Sequence, residues 1–183
     1  MPQGARGEFS DVELAWQESL HEAIVGVVAE AKAAMVPARL RAGRAPVQVG
    51  FNRRIVLEGG QIHMGDNPEG SVVPWVNVLA AEHLATGELF AVLFEHAAHP
   101  VIVPDSSNLT SADFPGAAVA HIRERLGPDV LALFAQGCGA NINAHPLRSS
   151  HDNADLAGAK LGEAVIVALA DSTPIAADTL RVR

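Results

Sequence analysis

Apolar residues between positions 10 and 35 return at close to helical spacing: Leu14, Ala15, Leu20, Ile24, Val27, Val28 and Ala31. That period predicts one amphipathic helix. Ser10 supplies an N-cap, Asp11 and Glu13 suit the positive end of the helix dipole, and Pro37 stops the helix. Residues 38–50 alternate well enough for one or two strands, with Arg39, Arg41 and Arg44 as a solvated face. GFNRR (50–54) then leads into a loop rich in Gly, Asn and Pro. Two apolar runs, 72–80 and 89–98, flank a Thr-Gly turn signal and predict a β-hairpin. Residues 111–127 predict a helix, with Ser111 or Asp113 as cap, Pro115 in the first turn and Gly127 at the end. VLALFAQ (130–136) predicts a short buried strand that empties into a glycine-rich loop, GCGANINAHP. A second long helix over 152–171 carries Gly158 and Gly162 at a spacing suited to close packing, and a last strand follows at 177–182.

Helices alternating with apolar strands predict an α/β fold, and the hairpin makes the sheet mixed. The expected architecture is a mixed β-sheet with helices packed on its faces, formed as a single domain over 1–183. In open sheets of this kind, sites gather in the loops beyond strand ends. The polar residues concentrate there: after His99, at 111–113 and along 137–145.

Composition narrows the function classes. At 183 residues, 49% hydrophobic and 19% charged, the chain is long and apolar enough for a sizeable core. A net charge of −8 with no clustered basic surface argues against nucleic acid. Cys138 is the only cysteine, which excludes an intrachain disulfide and a cysteine-based zinc cluster. No apolar run approaches the ~18 residues of a membrane span, and MPQGARGEFSDVE lacks the apolar core of a signal peptide. The expectation is a soluble protein, cytoplasmic by default, unless the natural start lies upstream.

The candidate chemistry centres on FEHAAHPVIV (94–103). Alternation along a strand sends His96 and His99 to opposite faces, so the two do not chelate one metal unless the strand breaks between them. Pro100 keeps His99 extended and removes the next ladder donor, which places His99 at a strand end. There it is either a histidine satisfied by loop carbonyls or a ligand delivered to a site. Asp113 is most simply a helix cap, and the sharper reading makes it also the carboxylate that orients a ligand histidine. In GCGANIN, Cys138 follows a strand but lacks the nucleophile-elbow spacing and a partner histidine. Backbone N–H groups of that loop suit an oxyanion, and Asn141 and Asn143 suit polar contacts to a ligand. His145 and His151 stand six apart across a loop and could approach one another.

Four stretches in this order, GFNRR (50–54), AVLFEHAAHPVIV (91–103), NLTSADFPG (108–116) and LFAQGCGANIN (133–143), resemble the catalytic domain of neutral/alkaline, non-lysosomal ceramidases and their bacterial relatives. The resemblance runs over essentially the whole chain. It implies a zinc-dependent amidohydrolase that cleaves an N-acyl amide or ester with metal-activated water. It implies His99 as a zinc ligand and Arg53 near the cleft, holding substrate or a developing oxyanion. It places Asn143 where ceramidases carry a serine beside the site. Asn52, Ser111, Asp113, Gly137, Cys138 and Asn141 belong to the loops expected to line the cleft. The family's other zinc ligands come from a His-x-His-Ser-Gly-Pro type stretch upstream and from a glutamate and a tyrosine downstream, and this chain contains no tyrosine. One of four ligands is present, so the expected site is incomplete in a single chain.

Three expectations follow. The chain is a partial ceramidase-like hydrolase acting on a small-molecule N-acyl or ester substrate, with possible self-association or pairing with a missing segment. Alternatively it is a non-catalytic α/β module that binds a ligand or partner. The third reading is a metal site built from a substitute set, His99, His145 and Asp113.

Overall fold

The computed structural model describes residues 9–175, and the chain divides into two compact units, residues 1–37 and 38–183. The first unit holds α1 (Asp11–Ala33). Its start is a full capping box: the Glu13 N–H donates to Ser10 Oγ at 3.3 Å, and the Glu13 carboxylate accepts from the Ser10 N–H at 2.8 Å.

The second unit is built on two sheets. Strands β1 (Ala38–Pro46), β4 (Trp75–His83), β5 (Leu89–His96), β6 (Leu131–Gln136) and β8 (Thr173–Pro174) form a five-stranded sheet in the order β6-β5-β4-β1-β8. β4 and β5 are the expected antiparallel hairpin, and β6 runs parallel to β5. β2 (Gly50–Val56), β3 (Ile62–Asn67) and β7 (Ile142–Ala144) form a smaller sheet in the order β3-β2-β7. The fold is therefore α/β with mixed strand directions, as the alternation of elements predicts. No described helix is long and apolar enough to cross a membrane.

Helices α2 (Asp113–Leu126) and α3 (His151–Ala170) pack on each other and against the larger sheet. The two glycines of α3 permit this approach. A Cβ on Gly158 would meet the Phe114 carbonyl oxygen at 2.6 Å, and one on Gly162 would meet the His121 ring at 2.8 Å. Phe94, Phe114, Ile102, Ile122 and Leu161 are fully buried between helices and sheet.

Three expectations are corrected. The run 130–136 is an edge strand, not a buried one: Leu131 and Leu133 lie on the face away from Phe134 and are exposed by 61% and 55%. The three arginines of β1 do not share a solvated face. Arg39 and Arg41 point to the side of Ala45, while Arg44 points to the other. Arg41 donates to Glu82 at 3.1 Å and to the Ser172 carbonyl at 2.7 Å. The segment after GFNRR is not loop but the β2–β3 hairpin, with a bulge between Asn52 and Arg54. The predicted strand at 177–182 lies outside the described residues.

Candidate functional site

The strand that carries His96 does break before His99. β5 ends at His96, and Ala97 and Ala98 pass fully buried through the core. His99 then forms a parallel bridge with Asn143 of β7. Its N–H donates to the Ile142 carbonyl at 3.0 Å, and its own carbonyl accepts from the Ala144 N–H at 3.2 Å. The glycine-rich loop thus returns to dock on the histidine that the sequence singles out.

The His99 ring is fixed as well. Nδ1 lies 3.0 Å from the Ile142 carbonyl oxygen. A carbonyl only accepts, so Nδ1 carries the proton and Nε2 presents its lone pair. This is the arrangement by which a metal-ligating histidine is oriented, with a backbone carbonyl in the orienting role.

Asn143 extends the row. It pairs with Phe51 across β2–β7, and its Oδ1 accepts from Arg53 Nη1 at 3.3 Å. Arg53 is pinned by its backbone, since its N–H donates to the Asn141 carbonyl at 2.8 Å. A small cleft of about 230 Å³ opens beside Arg53, lined by Arg54, Ile62, His63 and Met64. Met64 Sδ also touches the Asn143 amide at 4.0 Å. Consecutive strands therefore bring together a histidine lone pair, an amide and a guanidinium. Chemically this can offer one metal or proton-accepting nitrogen and a cation for a developing negative charge.

The other predicted residues are placed around this row. Asn52 is buried, donates to the Ser71 carbonyl at 2.9 Å and accepts from the Arg54 N–H at 2.9 Å, so it shapes the β2 bulge. Asn141 also reaches the Ser71 carbonyl, at 3.3 Å. A Cβ on Gly137 would sit 1.6 Å from the Glu95 carboxylate, which would have to move aside. Cys138 is an exposed free thiol. Ser111 Oγ accepts from the Asp113 N–H at 2.9 Å.

Asp113 does not orient a histidine. Its Oδ2 accepts from the N–H groups of Ile102 and Val103 at 2.9 and 2.8 Å, and its Oδ1 accepts from Phe114 N–H at 2.8 Å. Ala112 is the N-cap residue, and Asp113 is the first helical residue, held at φ 53°. The carboxylate is a clamp that ties the start of α2 to the segment three residues beyond His99.

The substitute metal set is not assembled. His145 packs edge-on against Phe51 with ring centroids 5.1 Å apart, and His151 lies 3.1 Å from Ser107 Oγ. Among the described residues, no three His, Cys, Asp or Glu side chains group closely enough to hold a metal ion. His99 fits the role of one zinc ligand, but a water-activating zinc site needs about three protein ligands, and these residues do not supply them.

His96 is a core residue. Its Nδ1–H donates to the Trp75 carbonyl at 2.9 Å, and its ring is almost wholly buried. Burial lowers its pKa, opposed by the Trp75 hydrogen bond and Glu95 and aided by Lys160. The unfolded chain therefore takes up a proton at His96 before the native protein does. Stability from this group is complete above the unfolded value of about 6.5 and declines as the pH falls below it. Urea midpoints measured down this range should fall less steeply for His96→Gln than for the wild type. Equal slopes would show that His96 titrates alike in both states.

The two sheets and the two covering helices define an α/β protein with a ceramidase-like fold. The chain resembles neutral ceramidase from Pseudomonas aeruginosa with a TM-score of 0.64 and 20% sequence identity, over 81% of this chain and 25% of that one. A ceramidase complexed with C2 matches with a TM-score of 0.61, again at 20% identity, over 76% of this chain and 23% of that one. The chain thus spans about a quarter of the length of the solved proteins it resembles. No protein-family model matches the chain, and no curated protein matches it by sequence.

Proposed function

We propose that the chain contributes to a ceramidase-like hydrolase that cleaves an N-acyl amide or ester. The observation that carries this reading is the His99 ring, whose Nδ1–H is bound to the Ile142 carbonyl and leaves Nε2 unbonded, on a backbone that bridges Asn143, the residue that accepts from Arg53. The fold likeness to neutral ceramidases supports the substrate class. Zinc is the metal this reading calls for, and it would activate water, with His99 as one ligand and the rest from beyond the described residues. Arg53 holds the substrate carbonyl oxygen and favours the negative charge that develops on it, and Asn143 orients the guanidinium.

The test is hydrolysis of a short-chain fluorogenic N-acyl amide and the matching ester, assayed with added zinc. The expected result is zinc bound by the wild type and lost in His99→Ala and, once the remaining ligands are supplied, turnover that His99→Ala abolishes and Arg53→Met lowers by about 10²–10³. Turnover unchanged in His99→Ala would overturn the reading.

A second reading is a ligand- or partner-binding module that keeps this fold without the chemistry. The lack of a three-ligand group among the described residues favours it. A folded wild-type chain whose His99 ring does not respond to zinc would select this reading over the first.

A further inference from the structure

An open groove of about 480 Å³ runs between α3 and the chain leading into β2. It contains neither His99 nor Arg53. Its size falls within the usual range of small-molecule sites, ~300–1,000 Å³. Phe51, Pro146, Leu156 and Ala157 give it apolar walls, and Lys160 and His145, with Gln48 and Asn153, supply its polar edge. Leu156 is 69% exposed, so the apolar lining faces solvent.

The charge of this groove is opposite in sign to that of the chain as a whole. The chain has 21 acidic and 13 basic residues, yet no Asp or Glu lines the groove. The Lys160 ammonium is fixed by donating to the Gln48 carbonyl at 2.7 Å. An ammonium has three donors, so two remain for a ligand. The His145 ring is held edge-on by Phe51, and neither of its nitrogens has a hydrogen-bond partner among the described residues.

We propose that this groove binds a monocarboxylate carried on an apolar chain, with the carboxylate on Lys160 and His145 and the chain along Phe51, Pro146 and Leu156. A single fixed cation suits a single negative charge. A phosphate monoester would want several donors or an arginine fork. The proposal concerns binding alone and does not depend on the hydrolase reading.

The experiment is a titration of the ¹⁵N-labelled chain with decanoate below its micelle concentration, followed by amide NMR. Decanol and inorganic phosphate serve as controls. The expected result is saturable shifts at Val49, Phe51, Ala157 and Lys160, with decanol binding at least about tenfold more weakly. Lys160→Met should weaken decanoate by about tenfold while leaving decanol unchanged, and Lys160→Arg should retain decanoate binding. Shifts that lie elsewhere, decanol as tight as decanoate, or phosphate competing at equal concentration would each overturn the proposal. The wild-type comparison of decanoate with decanol decides the matter even if a variant fails to fold. Because no turnover is read, failure here leaves the hydrolase reading intact, and an inactive chain leaves this one intact.

Discussion

Asp113→Ala should destabilise the protein by about 3–5 kcal/mol, a large share of the stability of an ordinary domain. Three backbone N–H groups, from Ile102, Val103 and Phe114, converge on this one buried carboxylate. Removing it leaves all three without their acceptor; the bonds from Ile102 and Phe114 are buried and that from Val103 is partly so, and each buried orphan costs about 1–3 kcal/mol. The positive φ of 53° adds a backbone penalty for alanine. Asp113→Gly should therefore be less harmful than Asp113→Ala, and Asp113→Asn, which keeps one oxygen acceptor, less harmful than either. Urea unfolding followed by Trp75 fluorescence gives the order. A loss below about 1 kcal/mol for Asp113→Ala would show that the clamp is replaced by solvent.

Phe94→Ala should cost a comparable amount, about 3–5 kcal/mol. Phe94 has no exposed surface, and its ring meets Phe134 edge-on with centroids 5.5 Å apart. Phe134 in turn meets Phe114 at 6.0 Å, so three rings join β5, β6 and α2. Truncation empties the first ring of that chain, on the strand that leads directly to His99. Phe94→Leu keeps most of the volume and should cost less than about 1.5 kcal/mol. If Phe94→Leu proved as unstable as Phe94→Ala, the ring contacts rather than the filled volume would carry the cost.

Much of the larger sheet and its helices was legible because each element carries its own punctuation. The Thr-Gly turn of the β4–β5 hairpin and Gly127 after α2, like the Ser10 cap of α1 in its own unit, lie where local chemistry requires them. The smaller sheet was not legible. Ile55, Ile62 and Met64 sit on half-exposed strands whose alternation is interrupted by the bulge at Asn52–Arg54, so the segment reads as loop. β7 is three residues long and is a strand only because β2 and His99 flank it. His99 could be singled out from the Pro100 that follows it, and Arg53 only through the family resemblance that GFNRR helps to carry. Their connection through Asn143 depends on pairing residues 90 positions apart and has no local signal. Asp113 was misjudged for the same reason. A cap and a long-range clamp look identical in sequence, and only the fold brings Ile102 and Val103 to the carboxylate.

His99 is held as its Nδ1–H tautomer, with Nε2 unbonded, on the backbone that bridges Asn143. The most direct measurement is long-range ¹H–¹⁵N NMR of the histidine rings, recorded first on the neutral ring and then through a zinc titration. The account predicts a protonated Nδ1 at His99, with His99 Nε2 the first histidine nitrogen that zinc perturbs, and no such response at that step in His99→Ala. An Nε2–H tautomer at His99, or zinc acting first at His145 or His151 with His99 unchanged, would contradict it.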